Sequence, residues 1–154
     1  TRSASLRTPR GFLVEGNLEV MVSEDRLGDL IPGGRQGVRM DGFTGIRDGT
    51  GRVFPVGADI CGRTRISNSV ETCLIDQLPA LTALGIDRLA IDARGRGSRY
   101  AREMAALYRQ GLALVKEGGR GMEQGLRDLK DECRGLARGG ITRGPFLAGL
   151  KEDD

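Results

Sequence analysis

The first half of the chain contains short apolar runs that predict β-strands. Residues 18–22 are apolar except for Glu19, and this run predicts a strand buried largely on both faces. Two apolar segments flank Asp48-Gly49, and an Asp-Gly pair in such a position is typical of a β-hairpin. Residues 57–69 are polar and rich in glycine, so they predict an ordered loop with a short strand at 63–66.

Helical spacing begins after this loop. Asp76 is placed to cap a helix that contains leucines at helical intervals, and Gly85 is placed to end it. Residues 88–92 predict a short strand with Asp92 at its carboxyl end. Two amphipathic helices follow, the first with Ser98 placed to cap it and the second after a glycine-rich break. This alternation of strands and helices is typical of an α/β protein.

Composition places the chain among ordinary globular proteins. It has 154 residues, of which 38% are hydrophobic and 29% charged, and this length predicts one domain. No apolar run approaches the roughly 18 residues that a membrane span needs. The first residues also lack the apolar core of a signal peptide. We therefore expect a cytoplasmic protein with no membrane partner.

The absence of histidine excludes several kinds of active site. Within this chain there is no Ser-His or Cys-His nucleophile pair, no histidine-ligated zinc and no histidine general base. The net charge of +3 is a weak argument for a nucleic-acid partner. Nearly all of the basic residues are arginines, which bind carboxylates and phosphates bidentately where lysine does not.

A set of motifs in the middle of the chain carries a family resemblance. In chain order these motifs are Phe54-Pro55-Val56, Asp59, Cys61, Arg63-Thr64, Ile66, Asn68-Ser69, Cys73-Leu74-Ile75-Asp76, Leu78-Pro79, Leu81, Gly85-Ile86-Asp87, Ile91-Asp92-Ala93-Arg94-Gly95 and Tyr100-Ala101-Arg102-Glu103. In identity and spacing they resemble the carboxyl-terminal half of the collagenase-like peptidase U32 domain. With the strand at 18–22, the likeness covers roughly residues 17–112.

The resemblance implies a fold and a division of the chain. It implies the carboxyl-terminal portion of a (β/α)8 TIM-like barrel, with strands near 18–22 and 88–92 and with a β-hairpin and a cysteine loop inserted between them. Residues 1–11 are then a tail or linker remnant, residues 12–117 the partial barrel, and residues 118–154 a carboxyl-terminal helix and tail. A whole barrel needs about 250 residues, so we expect the amino-terminal half outside this chain.

The resemblance also implies an activity, with two alternatives left open. The first expectation is a hydrolase, a collagenase-like peptidase. The second is a [4Fe-4S]-dependent hydroxylating enzyme that acts on tRNA or an aromatic precursor. The third is a non-catalytic module that binds peptides. Expected partners are a peptide or small anionic substrate, tRNA under the second alternative, the amino-terminal half, and a second copy in a homodimer.

Two cysteines are the candidate metal and cofactor ligands. Cys61 lies in the polar loop and Cys73 at the edge of an apolar run. A [4Fe-4S] cluster needs four thiolates, so these two would share a cluster, or a zinc ion, with residues outside the chain. Cys133 occupies an apolar helical position and is interpreted as a small buried hydrophobic residue.

The candidate catalytic residues are Asp92, Arg94 and Arg63. Asp92 follows a strand, and residues at the carboxyl ends of barrel strands form the active-site face. Its carboxylate could act as an acid or base, or pair with Arg63 or Arg94, or form a salt bridge that only fixes the loop. Arg63, with Thr64, Arg65 and Asn68, offers donors to an anionic group of a substrate.

Overall fold

The computed structural model describes residues 8–25, 37–40, 43–144 and 146. Residues 1–7 and 147–154, which belong to the two predicted tails, lie outside the described residues. In chain order the elements are β1 (Gly11–Gly16), β2 (Glu19–Ser23), β3 (Gly37–Met40), β4 (Phe43–Arg47), β5 (Val53–Ala58), β6 (Thr64–Ser67), β7 (Glu71–Cys73), a 3-10 turn (Ile75–Gln77), α1 (Leu78–Ala83), β8 (Arg88–Ile91), α2 (Ser98–Glu117), α3 (Met122–Leu136) and β9 (Ile141–Thr142).

A four-stranded sheet has the strand order β8-β1-β7-β9. Strands β1 and β8 are parallel, so their carboxyl ends lie at the same edge of the sheet. Just beyond β8, the backbone N–H of Asp92 donates to the carbonyl oxygen of Glu15 at 2.8 Å. Strand β7 is antiparallel to β1 and brings Glu71 to this edge. The edge therefore collects acidic side chains from separate parts of the sequence.

The helices pack with this sheet around an apolar core. Leu78 and Leu81 of α1, Met104 of α2, and Leu126 of α3 are fully or almost fully buried. The hydroxyl of Tyr108 on α2 donates to the carbonyl oxygen of Val14 on β1 at 2.7 Å. The amphipathic spacing of both long helices is thus confirmed, and the apolar stripe of each faces the core. Among the described residues, no helix is both long enough and apolar enough to cross a membrane.

A five-stranded antiparallel sheet with the order β2-β6-β5-β4-β3 makes up the rest of the described structure. The predicted hairpin is confirmed, because Asp48-Gly49 lies in the turn between β4 and β5. The carboxylate of Asp48 stabilises this turn by accepting the backbone N–H groups of Thr50 and Arg52, both at 2.9 Å. The predicted strand at 63–66 is β6, shifted by one residue.

The strand predicted at 18–22 is present as β2, but the prediction that it is buried on both faces is wrong. Val20 is 56% exposed and Val22 is 47% exposed. The physical reason is position, since β2 belongs to the five-stranded sheet and not to the sheet that packs with the helices, and among the described residues it pairs with β6 alone. The strand that lies beside β8 in the central sheet is β1, one segment earlier in the sequence.

The predicted helix caps are also corrected. The cap position of α1 is Gln77, and Asp76 makes no capping hydrogen bond. Instead, its carboxylate accepts from Nζ of Lys130 at 2.7 Å and from Nη1 of Arg143 at 3.1 Å, because the chain brings these distant cations to it. Ser98 is the first residue of α2, and the cap position before it is Gly97. Gly85, with φ of +70°, does follow the end of α1 as predicted.

The fold class is mixed α/β, as predicted. Residues 8–25, 37–40 and 43–144 form two separate sheets and three α-helices, and these described residues contain no closed barrel. The parallel pair β1 and β8 is the arrangement that a (β/α)8 barrel repeats. That the chain completes a TIM-like barrel with residues from outside it stays a prediction.

Candidate functional site

A cavity of about 640 Å³ lies between the two sheets, outside the carboxyl ends of β1 and β8. Ligands commonly bind at this end of parallel strands. Its charged lining consists of five arginines and three carboxylates, namely Arg63, Arg65, Arg94, Arg96, Arg138, Glu19, Asp59 and Asp92. We call this cavity the arginine cleft. All three residues predicted as catalytic, Arg63, Asp92 and Arg94, line this cavity, and so does Cys61.

Glu19 joins the two sheets at the centre of the arginine cleft. Its carboxylate accepts two hydrogen bonds from Nη1 of Arg65, at 2.7 and 2.6 Å, and one from Nη1 of Arg94 at 2.7 Å. These bonds, that of Arg65 first, lower the pKa of Glu19 below its usual value. Sequence reasoning missed Glu19, because it is one polar residue in an apolar run.

Asp92 and Arg94 form a closely aligned ion pair. Nε and Nη2 of Arg94 donate to Oδ2 of Asp92 at 3.0 and 2.6 Å, and the backbone N–H of Arg94 donates to Oδ1 at 3.0 Å. The hydrogen bonds from Arg94 lower the pKa of Asp92, and those from Asp92 raise the pKa of Arg94. Asp92 is therefore ionised near neutral pH, so it can orient a donor or a cation but is a poor general acid.

Asp59 organises the loop that contains Cys61. Oδ1 of Asp59 accepts the backbone N–H groups of Cys61 at 2.9 Å and Arg63 at 3.0 Å, while Oδ2 accepts from Nε of Arg63 at 2.8 Å. Burial opposes ionisation of Asp59, but these hydrogen bonds outweigh it and lower its pKa to about 2. Arg63 is thus paired with Asp59, and Cys61 is exposed at the edge of the arginine cleft.

Arg96 is held beneath the arginine cleft by a buried acid. Its guanidinium pairs with the carboxylate of Glu71 and lies 3.8 Å from the ring centroid of Tyr100. The hydroxyl of Tyr100 donates to Oε2 of Glu71 at 2.9 Å, and the backbone N–H of Arg138 donates to Oε1 at 2.8 Å. Sequence reasoning missed Glu71, since a single acid in a polar stretch is not a signal of burial.

Cys73 lies away from Cys61, in a second group of polar side chains inside the helix-covered core. The possible ligand atoms of Glu15, Cys73 and Cys133 all lie within 4.8 Å of one another, and all three residues are fully buried. We call this group the buried thiol cluster. Cys133 is buried as predicted, but it lies beside Cys73 rather than among apolar side chains alone. The one sequence signal for Glu15 was an acid directly after the apolar residues Leu13 and Val14.

Hydrogen bonds and burial set the charges in the buried thiol cluster. The hydroxyl of Tyr108 lies 3.0 Å from Oε2 of Glu15 and accepts the backbone N–H of Leu74 at 3.1 Å. Burial, followed by the nearby Cys73, raises the pKa of Glu15 to about 9. The hydrogen bond between the two thiols lowers the pKa of Cys73 and raises that of Cys133. Thus the cluster holds a neutral carboxyl beside an easily ionised thiol.

The cysteines do not fit a [4Fe-4S] cluster held by this chain. Such a cluster needs four thiolates, and the whole sequence contains three cysteines. Of these, Cys61 is exposed at the arginine cleft while Cys73 and Cys133 are buried together. The pair of ligands predicted from the sequence, Cys61 and Cys73, is therefore divided between two sites.

These features describe a mixed α/β protein with an arginine-rich cleft at the end of a parallel strand pair. Comparison with known families gives the same assignment as the sequence motifs, since residues 51–154 match Peptidase family U32. The chain belongs to this family. No curated protein and no solved structure matches the chain.

Proposed function

We propose that this chain is part of a U32-family peptidase and that the arginine cleft binds the peptide substrate through a carboxylate. The observation that supports this proposal is the position of Arg65 and Arg94, whose guanidinium groups both border the cleft and converge on Glu19. Arginine binds carboxylates bidentately and remains charged at every physiological pH. The family assignment supports the peptidase activity.

Arg94 and Arg65 are the best placed residues to bind an anionic group. Both donate to Glu19, which lies between them. An incoming carboxylate can bind to either guanidinium beside Glu19, because each guanidinium has N–H donors besides those that bond to Glu19. The side chain of Arg94 is also two-thirds exposed, so a ligand can reach it without a change in the backbone.

Asp92 would then act on the substrate as a fixed negative charge. Its pKa is lowered by Arg94, so it is ionised and can orient a peptide N–H group or a terminal amine. With no histidine in the chain, transfer of a proton during hydrolysis needs another group. Cys61 has an exposed thiol that lines the same cleft, and we propose it as the nucleophile.

Binding and cleavage can be tested separately. The first assay measures the affinity of a labelled acidic peptide with a free terminal carboxylate against that of its amidated form. We expect tighter binding of the free acid, and a loss of about tenfold or more in the Arg94→Gln variant. Arg99→Gln is the matched control, because Arg99 pairs with Glu103 on the exposed surface of α2, outside the cleft.

The second assay measures cleavage of gelatin peptides. We expect cleavage by the full-length protein that contains this chain and its loss in Asp92→Asn, with peptide affinity largely retained. Peptide binding without any cleavage would contradict the peptidase and favour the non-catalytic peptide-binding module. Tighter binding of tRNA than of acidic peptide, lost in Arg94→Gln, would instead favour the tRNA-directed alternative.

A further inference from the structure

The buried thiol cluster contains the kinds of donor that bind zinc. We propose that Cys73, Cys133 and Glu15 hold a Zn²⁺ ion that ties α3 to the central sheet. This site is separate from the arginine cleft and does not depend on the function proposed for it.

The three donors come from three elements that are distant in sequence. Glu15 is on β1, Cys73 on β7 and Cys133 on α3, and their ligand atoms lie within 4.8 Å of one another. Zinc binds thiolate sulfur at about 2.3 Å and carboxylate oxygen at about 2.0–2.2 Å, so one ion placed between such atoms contacts all three after small side-chain adjustments. Two thiolates and a carboxylate are a donor set that suits zinc better than calcium or magnesium, which prefer oxygen alone.

An independent observation points to a ligand at this position. Oε1 of Glu15 is buried and has no hydrogen-bond partner within the part of the chain that the structure describes. A buried carboxylate oxygen without a partner is costly and rare, so such a group calls for an explanation. A metal ion beside the two thiols would satisfy it, while Oε2 keeps its contact with the hydroxyl of Tyr108.

The fully buried position suggests a structural rather than a catalytic role. All three donors are inaccessible to solvent, so a substrate cannot reach an ion held there. Binding would release to solvent the protons that the thiols and the Glu15 carboxyl carry in the metal-free protein. The ion would cross-link β1, β7 and α3, and we expect the folded protein to be more resistant to heat when it is loaded.

The test begins with the full, unmodified chain produced in medium supplemented with zinc. We expect about one zinc per chain by elemental analysis after gel filtration, and a lower melting temperature after treatment with a chelator. We also expect Co²⁺ added to the metal-free protein to give the thiolate-to-cobalt absorption of a tetrahedral site, which added zinc abolishes.

Two variants and a matched control locate the ion. Cys133→Ser and Glu15→Gln should each lose most of the bound zinc, whereas Cys61→Ser should keep it, because Cys61 is exposed outside the cluster. Circular dichroism checks that each variant is folded. The cobalt spectrum of the unmodified chain decides the question even if a variant fails to fold.

Several results would overturn the proposal. One is unmodified protein that retains no zinc and gives no thiolate-to-cobalt band. Another is zinc that is lost in Cys61→Ser but kept in Cys133→Ser. Iron with acid-labile sulfide at these residues, or a disulfide between Cys73 and Cys133 in place of metal, would also exclude a zinc site.

Discussion

The two polar regions of this protein shift the pKa of a glutamate side chain in opposite directions. In the arginine cleft, hydrogen bonds from arginines lower the pKa of Glu19, so this acid is ionised. In the buried thiol cluster, burial raises the pKa of Glu15 to about 9, so this acid is neutral near pH 7. Glu15 and Glu19 are only four residues apart in the chain. Their charge is thus decided by the surroundings that the fold supplies.

Glu71 combines features of both regions. It is as fully buried as Glu15, yet it is paired with a guanidinium as Glu19 is. A buried ion pair adds little stability compared with apolar packing, but loss of one partner leaves an uncompensated buried charge. Substitutions at the three glutamates therefore separate the effect of burial on stability from the effect of ion pairing.

The largest expected loss of stability follows from removing the carboxylate of Glu71, the buried partner of Arg96. Glu71→Ala leaves Arg96 unpaired, and the side chain of Arg96 is only 9% exposed. We expect the free energy of unfolding to fall by about 3–5 kcal/mol in urea titrations. Glu19→Ala is the control from the arginine cleft, where the carboxylate is 24% exposed, and we expect a loss of about 1 kcal/mol. Equal losses in the two variants would show that burial does not distinguish the two regions.

A smaller loss of stability is expected from a substitution at Gly16, where β1 ends beside the arginine cleft. Gly16 has φ of +122°, and a Cβ added there would lie 2.5 Å from the carbonyl oxygen of Asp92. Since this contact is with backbone, we expect Gly16→Ala to destabilise the fold by about 1–3 kcal/mol and to displace Asp92 from its pairing with Arg94. Thermal unfolding measures the first effect and peptide binding the second.

Gly57→Ala is the matched control for this substitution. Gly57 also lines the arginine cleft, but a Cβ there would have no atom of the described residues within 4 Å. An unchanged Gly16→Ala variant, or a Gly57→Ala variant that is equally destabilised, would refute the steric argument.

The smallest expected effect is the response of the arginine cleft to acid. The pKa of Asp59 falls from its usual 3.8 to about 2 in the folded protein. Because the folded value is the lower one, the ion pairs contribute stability above about pH 4 and lose it as the pH falls towards 2. We expect urea unfolding midpoints to decrease over this range. In Asp59→Asn the decrease should be shallower, and an identical pH profile would count against the role of Asp59.

Much of the local structure could be predicted from the sequence. The hairpin at Asp48-Gly49 was predictable because its turn is held by contacts within a few residues. The two long helices were predictable because one apolar stripe recurs at helical spacing on each. Asp92 and Arg94 could be placed together for the same reason, since their pairing spans two residues.

The contacts that build the arginine cleft and the buried thiol cluster could not be predicted from local sequence patterns. Glu19 and Arg94 are 75 residues apart in sequence, and no local pattern indicates that they pair. The exposure of β2 depends on its being at a sheet edge, which its apolar run does not encode. Asp76 was expected to cap a helix because capping is local, whereas its observed partner Lys130 comes from α3.

The sequence by itself thus determined the family, the mixed α/β class and the elements whose signals repeat over a few residues. The tertiary structure alone decided that Cys73 lies with Cys133 and Glu15 instead of with Cys61, and that Glu19 unites the arginines of the cleft. The physical reason is that periodicity and turn chemistry act between near neighbours. Burial, charge pairing and the pKa values that follow from them depend on which distant segments pack together.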